Sequence, residues 1–194
     1  MGAGIGHNRG PSLEGTSWRR HCWGHARRQL LPVLPIEVVR LRVRRAQALG
    51  LEYKTYAGLR ATTGRDLIAF LFSSNALGVF RDGQALAPER AQRLADLAAE
   101  RHLGAGPGLD ADALAARIAA RSALPLPDLT MSWSGMRDRM KGWLAAQGLP
   151  GDAVLMIGET DHEREIMAAA GLAGFVTGQR YFGPRNFQGQ NHAV

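Results

Sequence analysis

The amino-acid sequence predicts an α/β fold in which a small parallel sheet is flanked by helices. Two apolar runs of strand length, 67–72 and 153–157, each end in polar residues, and a further strand is predicted near 173–177. All-apolar runs are typical of central parallel strands that are covered on both faces. Because helical patterns separate these runs, the alternation favours a parallel sheet of the Rossmann-like kind.

The remaining elements follow from prolines, caps and apolar spacing. Helices are predicted over residues 36–49, 55–62, 88–101, 110–118, 135–147 and 161–170. Residues 102–108 are predicted to be a glycine-rich loop and residues 129–133 a short strand. The chain then divides into a flexible arm (1–16), a basic helical extension (17–65), the α/β domain (66–178) and a surface tail (179–194).

Composition restricts the class of protein. The 194 residues, 45% of them hydrophobic, suffice for one domain with a real core. No apolar run approaches the roughly 20 residues that span a bilayer. Cys22 is the only cysteine, so no intrachain disulfide can form, which favours a reducing compartment and a cytoplasmic location. His21 and His25 lie near Cys22, but no fourth ligand completes a metal site, and packing roles are favoured.

Positive charge is concentrated at the start of the chain. Residues 1–66 contain 12 Lys or Arg against 4 Asp or Glu, whereas the rest contains 12 against 13. This asymmetry predicts an anionic partner, either nucleic acid or an acidic protein. The arginines expected to contact it are Arg19, Arg20, Arg27, Arg28, Arg40, Arg44 and Arg45. The aromatic residues Trp18, Trp23, Tyr53 and Tyr56 are available for stacking, or else belong to a core beneath a solvated arginine face.

Three stretches resemble the haloacid dehalogenase-like (HAD) hydrolases. They are LIAFLFSSNAL (67–77), RDGQALAPE (81–89), and Lys141 with the later VLMIGETDHEREIM (154–167). In that family an apolar strand ends in an Asp-x-Asp-Gly-Thr-Leu signature, and a lysine and a second pair of aspartates follow later. The resemblance covers residues 66–178. It implies a phosphohydrolase with an aspartyl nucleophile and Mg²⁺.

The groups that would perform this chemistry are replaced at the first motif. Aligned to the family signature, the nucleophile falls on Leu71 and the acid/base on Ser73. Leucine has no lone pair with which to attack phosphorus, which closes the phosphoaspartyl route. Loss of both carboxylates also deprives Mg²⁺ of the hard anionic oxygens that it requires. At the last motif, acidic residues persist as Glu159, Asp161 and Glu163.

The remaining polar groups also have structural explanations. Thr160 and Glu163 have the spacing of a capping box at a helix start. Glu159 and Asp161 lie where negative charge is favourable against the helix dipole. Lys141 is one of several cations on the exposed face of an amphipathic helix, and the phosphate-holding hydroxyl of the family would fall on Ser132 or Ser134.

Two functions remain open from the sequence. The favoured one is a catalytically inactive HAD-like domain that acts in binding, scaffolding or regulation and requires no cofactor. The alternative is a divergent Mg²⁺-dependent phosphohydrolase or phosphate-binding protein. Its catalytic candidates are Ser73, Lys141, Glu159 and Glu163, and its metal candidates are Glu159, Asp161 and Glu163. We expect Ser73, Lys141 and Glu159 to converge at the carboxyl ends of adjacent parallel strands.

Overall fold

The computed structural model describes residues 34–184. Its strands are β1 (Ala69–Ser73), β2 (Glu100–Ala105), β3 (Ser122–Pro125), β4 (Val154–Gly158) and β5 (Gly174–Thr177). Its helices are α1 (Ile36–Ala48), α2 (Tyr53–Thr63), α3 (Ser74–Leu77), α4 (Pro88–Ala95), α5 (Ala111–Arg117), α6 (Trp133–Gln147), α7 (Asp161–Ala170) and α8 (Gly178–Phe182). Over these residues, no helix combines the length and the apolar character needed to cross a membrane.

The strands form one parallel sheet in the order β3-β2-β1-β4-β5. β1 is central, with Leu71 opposite His102 of β2 on one side and Met156 of β4 on the other. Every residue of β1 and β4 is buried, as expected of strands covered on both faces. The predicted α/β fold with a parallel sheet is confirmed, and the strand order is that of a doubly wound, Rossmann-like sheet.

Alternate residues of the central strands face two separate cores, because successive side chains of a strand point to opposite faces. One core contains Phe70, Phe72, Leu155 and Ile157, together with buried residues of α1 to α5 and Tyr181 of α8. The other contains Ala69, Leu71, Val154 and Met156, packed against Met136, Met140 and Leu144 of α6 and Ile166 of α7. The sheet is therefore the middle layer of three.

The second strand lies where the sequence predicts a helix end and a glycine-rich loop, so that prediction is wrong. Glu100–Ala105 pair with β1 and β3 instead. The segment, ERHLGA, has no β-branched residue and no alternation of apolar and polar residues, so neither its composition nor its pattern predicts a strand. His102 is buried despite its polarity, and the Leu126 side chain fills the space beside Gly104.

The third strand also differs from the prediction. Ser122–Pro125 form β3 at the edge of the sheet, whereas residues 129–133 contain a turn and the start of α6. In the turn, the Asp128 carboxylate accepts hydrogen bonds from the backbone N (2.9 Å) and the hydroxyl of Thr130. Pro125 is tolerated in β3 because an edge strand leaves some backbone groups without a partner strand.

The compact unit that contains the sheet begins at Leu41, within α1. Ala46 of α1 and Tyr56 of α2 are buried in the same core as Phe70. Residues 41–65 thus belong to the α/β body, although the sequence predicts a separate extension there. Tyr56, 1% exposed, is a core residue and is not available for stacking on a partner.

The other unit, residues 1–40, is described only from residue 34. There an ion pair of 2.9 Å joins Arg40 to Glu37, and both side chains are exposed.

Candidate functional site

The strand order places a topological switch point between β1 and β4. In doubly wound sheets, ligands bind in the crevice outside the carboxyl ends of the two strands at this point. The residues at and just after the ends of these strands are 73–75 and 159–163. They include Ser73 and the three acids singled out from the sequence.

At the end of β1, the hydroxyl oxygens of Ser73 and Ser74 both accept hydrogen bonds from backbone N–H groups. Ser73 Oγ accepts a hydrogen bond from Ala76 N (3.0 Å) and so caps α3. Ser74 Oγ accepts a hydrogen bond from Gly106 N (3.0 Å), just past the end of β2. Both serines are buried, so neither presents its hydroxyl to a substrate in the crevice.

Leu71 lies inside the strand and not at its end. Its side chain is fully buried in the core beneath α6 and α7, two residues before β1 ends at Ser73. If the family signature begins at the strand end, its two aspartates correspond to Ser73 and Asn75. In either alignment, no carboxylate follows β1.

Glu163 is the centre of the hydrogen-bond network at the switch point. Its side chain is 2% exposed. One carboxylate oxygen accepts a hydrogen bond from Asn75 Nδ2 (3.0 Å), and the other accepts from Glu159 N (2.6 Å) and Thr160 N (2.9 Å). Thr160 Oγ1 accepts in return from Glu163 N (3.2 Å), so the predicted capping box is present.

Asn75 is the residue of this network that the sequence analysis misses. It lies 88 positions before Glu163 and belongs to no local motif, so only the pairing of β1 with β4 brings the two together. Gly158 leaves room for the Glu163 carboxylate, because a Cβ at that position would lie 3.0 Å from its oxygen and 2.5 Å from the Phe175 ring.

The other two acids point away from Glu163. Glu159 Oε2 accepts a hydrogen bond from Gln179 N (3.2 Å) at the start of α8. The Asp161 side chain is fully exposed and lies 3.8 Å from Arg164 Nε. No three His, Cys, Asp or Glu side chains within 34–184 are arranged to hold a metal ion. Since Mg²⁺ requires several convergent oxygens, the three acids do not fit it.

Helix α8 closes the crevice from above β5. A Cβ on Gly178 would lie 2.8 Å from both the Cα and the carbonyl oxygen of Ala76, so α8 and α3 are in direct backbone contact. Tyr181 is buried, with its ring 5.7 Å from that of Phe72. The sequence predicts a surface tail from residue 179. Residues 178–182 form α8, in which Gln179 and Arg180 are exposed, and 185–194 lie outside the described residues.

Lys141 does not lie at this edge of the sheet. It is exposed in α6, eight residues after Trp133, which places it about 12 Å along the axis from the helix start at 1.5 Å per residue. The helix begins at the carboxyl edge, where Ser132 caps it, and runs towards the amino edge. Of the three residues expected to converge, the structure brings only Ser73 and Glu159 to neighbouring strand ends.

The arginines of the N-terminal region have different roles. Arg45 donates hydrogen bonds to the Asp66 carboxylate (3.1 Å) and to the carbonyl oxygens of Leu67 (2.8 Å) and Ala98 (3.0 Å), so it joins α1 to the sheet. Burial opposes ionisation of Asp66, but the hydrogen bond from Tyr56 and the charge of Arg45 outweigh it and lower the pKa of Asp66.

Arg44 is exposed, and within residues 34–184 no carboxylate lies within 4.0 Å of it. The remaining predicted contacts fall outside the described residues: Arg19, Arg20, Arg27 and Arg28, with Trp18, Trp23, His21, Cys22 and His25.

Comparison with known proteins identifies no relative: no family model, no curated protein and no solved structure matches this chain.

Proposed function

We propose that this chain is a HAD-like α/β domain without phosphohydrolase chemistry, which binds or scaffolds an anionic partner through its basic N-terminal region. The motif resemblance and the parallel sheet with β1 at its centre support the family assignment. The position of Glu163 supports the loss of chemistry, because this buried carboxylate is already occupied by three donors.

The closed crevice argues against a small ligand at the switch point. A phosphate bound at the end of β4 would need the backbone N–H groups of the loop that leads from β4 into α7. Here the Glu163 carboxylate already accepts from Glu159 N and Thr160 N. Asn75 supplies a further donor to the same carboxylate. The domain thus carries an internal anion where a ligand would bind.

We assign the contact with a partner to arginines that do not bind other parts of the domain. Arg45 is half-buried and its guanidinium is already bound to Asp66, Leu67 and Ala98, so we remove it from the predicted contact set. Arg44 is exposed and unpaired within the described part of the chain, and Arg40 is held only by an exposed ion pair, which contributes little. Together with the arginines of residues 1–33, these side chains can neutralise phosphates or clustered carboxylates.

Fluorescence anisotropy with labelled single-stranded RNA, duplex DNA and polyglutamate tests this proposal and identifies the class of partner. Arg40→Gln combined with Arg44→Gln should lower the affinity for the preferred polyanion. On single-stranded RNA it should reduce the slope of log affinity against log salt by about 1.4, at roughly 0.7 per lost phosphate contact.

Arg137→Gln combined with Arg139→Gln provides the matched control. It also removes two exposed arginines, one of them in an exposed ion pair with Asp138. Equal losses from both double variants would mean that only total charge matters, and no loss from the first would overturn the proposed contact. Mg²⁺-dependent turnover of a generic phosphate ester, abolished by Glu159→Ala, would favour the enzyme alternative instead.

A further inference from the structure

A second polar cluster lies near the amino edge of the sheet, on the face that α6 covers. It consists of Glu100 and His102 of β2, Ser122 of β3 and Trp143 of α6. His102 and Ser122 lie directly opposite each other in the parallel ladder, so their side chains share one face. Glu100, two residues before His102, points to the same face.

The distances in this cluster form a chain. His102 Nδ1 lies 2.9 Å from Ser122 Oγ, and His102 Nε2 lies 3.5 Å from Glu100 Oε2. Trp143 Nε1 donates a hydrogen bond to Ser122 Oγ (3.2 Å), and the Trp143 ring meets the imidazole edge-on, with centroids 5.3 Å apart. His102 is 0% exposed. Its Nε2 and the facing Glu100 oxygen are buried without a hydrogen-bond partner, an unusual cost for a native fold.

The protons in this chain follow from the chemistry of its members. A bare Nε2 lone pair would face a carboxylate oxygen, so the neutral imidazole carries its proton on Nε2, towards Glu100. Nδ1 is then an acceptor, and Ser122 must donate its hydroxyl proton to it. Because the indole N–H can only donate, Ser122 Oγ also accepts from Trp143.

We propose that Ser122 is an activated nucleophile for acyl transfer from small carboxylic esters, with His102 as its general base. A serine within hydrogen-bond reach of an imidazole is the core of the arrangement that such catalysis requires, and the Glu100 carboxylate faces the other ring nitrogen at 3.5 Å. Glu100 is a positioning residue, since it acts on the substrate only through the imidazole. Burial lowers the pKa of His102; Glu100 opposes the shift, and the charge of Arg121, which is paired with Glu100, adds to it. The ring is thereby kept neutral and able to accept a proton near neutral pH.

The proposed reaction transfers the acyl group to Ser122 and then to water. Ser122 Oγ forms a bond to the ester carbonyl carbon while its proton moves to His102 Nδ1, and the imidazolium faces the Glu100 carboxylate. The bond from carbon to the alkoxy oxygen breaks, and the leaving alkoxide takes the proton from Nδ1. Water then attacks the acyl-serine with His102 again as base, which releases the carboxylic acid and restores the hydroxyl. Trp143 Nε1–H donates to Ser122 Oγ before reaction (3.2 Å) and so lies beside the bond that forms.

Access to the serine is provided by the edge of the sheet. β3 has a neighbouring strand on one side only and Ser122 is partly exposed, so ester and water would approach from this edge and meet His102, which is 0% exposed, only where its Nδ1 faces Ser122. This cluster shares no residue with the switch point and none with the basic N-terminal region. Acyl transfer here and polyanion binding there can therefore fail independently.

Labelling of the full chain with a fluorophosphonate probe, followed by peptide mass spectrometry, tests the nucleophile. We expect labelling at Ser122, which Ser122→Ala abolishes and Ser134→Ala, at an exposed serine, leaves unchanged. His102→Gln should slow labelling by about 10²- to 10⁴-fold, the usual contribution of a general base. Hydrolysis of p-nitrophenyl acetate should likewise be abolished by Ser122→Ala, slowed by His102→Gln and unchanged by Ser134→Ala. Circular dichroism should verify that each variant is folded.

The dependence of the labelling rate on pH distinguishes a serine activated by His102 from a cluster that is merely structural. The wild-type labelling rate should rise with pH through the pKa of His102 and then level off. Glu100→Gln should move this midpoint to lower pH, because the carboxylate raises the imidazole pKa. Ser122→Cys offers a readout that does not depend on ester chemistry, since its alkylation by iodoacetamide should exceed that of Cys22. An unlabelled wild-type Ser122, or a Cys at 122 no more reactive than Cys22, would overturn the proposal.

Discussion

Two adjacent arginines of α1 differ in their contacts, and exchanging each for glutamine should separate stability from the proposed binding. Arg45→Gln removes hydrogen bonds to Asp66, Leu67 and Ala98. We expect it to lower the free energy of unfolding by roughly 2 kcal/mol, since hydrogen bonds that involve charged groups are worth roughly 1.5–3 kcal/mol.

Arg44→Gln is the neighbouring control and should change stability by less than about 0.5 kcal/mol, as exposed substitutions usually do. Urea unfolding measures both changes in stability. Arg44→Gln should weaken polyanion binding clearly while it leaves the stability of the protein almost unchanged. Equal destabilisation by the two variants would contradict the structural role of Arg45.

The burial of His102 also makes a prediction about pH. Desolvation lowers the pKa of the folded-state imidazole, so the unfolded chain binds the proton more readily. Stability from the neutral ring is then complete above the unfolded value of about 6.5 and is lost as pH falls below it, towards the lower folded pKa. Asp66, whose pKa is also lowered, loses its contribution only below about 3.9, in a separate window.

Urea unfolding midpoints measured between pH 7 and pH 5 should therefore fall more steeply for wild type than for His102→Gln. His162→Gln is the control, because its ring contacts the Pro127 carbonyl oxygen at a partly exposed position. A wild-type midpoint that did not change over this range would contradict the assigned direction of the pKa shift.

At the level of the elements, Glu163 holds α7, β4 and α3 together at the switch point. Glu163→Ala leaves Asn75 Nδ2, Glu159 N and Thr160 N without their acceptor. We expect a loss of roughly 3 kcal/mol in the free energy of unfolding, because a helix cap and buried donors are affected at once.

Acetate should partly restore the stability of this variant, because it replaces the deleted carboxylate and binds only the folded state. Thermal unfolding with increasing sodium acetate, against equal sodium chloride, measures the rescue. Glu159→Ala is the control and should gain nothing, since that side chain is exposed and accepts a single hydrogen bond. If acetate stabilised both variants equally, Glu163 would not be an internal anion of the kind inferred.

The elements that sequence reasoning predicts correctly are those with local signals. β1 and β4 are continuous apolar runs, and the capping box of α7 is contained in residues 160–163. β2 and β3 lack such signals, because their strand character comes from pairing and from burial of His102 and Leu103. Local sequence cannot reveal such tertiary effects.

The same distinction applies to the site. The acids after β4 could be found from sequence because they adjoin a strand, a glycine and a helix start. Their partners, Asn75 and Gln179, come from distant segments and carry no motif. Arg45 was indistinguishable from Arg44 in sequence, since helical phase alone does not show that Asp66 and two carbonyl oxygens would lie within its reach.

At the scale of the whole molecule, the polar groups fall into three regions with separate roles. The carboxyl edge of the sheet is closed by Glu163 and α8, the amino edge holds the cluster around His102, and positive charge is concentrated in the N-terminal region. The proposed polyanion contact and the proposed acyl transfer therefore lie in regions that share no residue with each other or with the switch point.

Removal of residues 1–33 should separate these roles. The buried core as described runs from Ala46 to Tyr181, so a fragment of residues 34–194 should keep the urea midpoint of the full chain. The deleted segment contains 5 arginines and 1 glutamate, so the net charge falls from +7 to +3. Polyanion affinity and its salt slope should drop with it, by more than Arg40→Gln with Arg44→Gln produces, because each lost phosphate contact lowers the slope. A fragment that unfolded more easily would show that residues 1–33 stabilise the body, and one with unchanged affinity would place the anionic contact within residues 34–194.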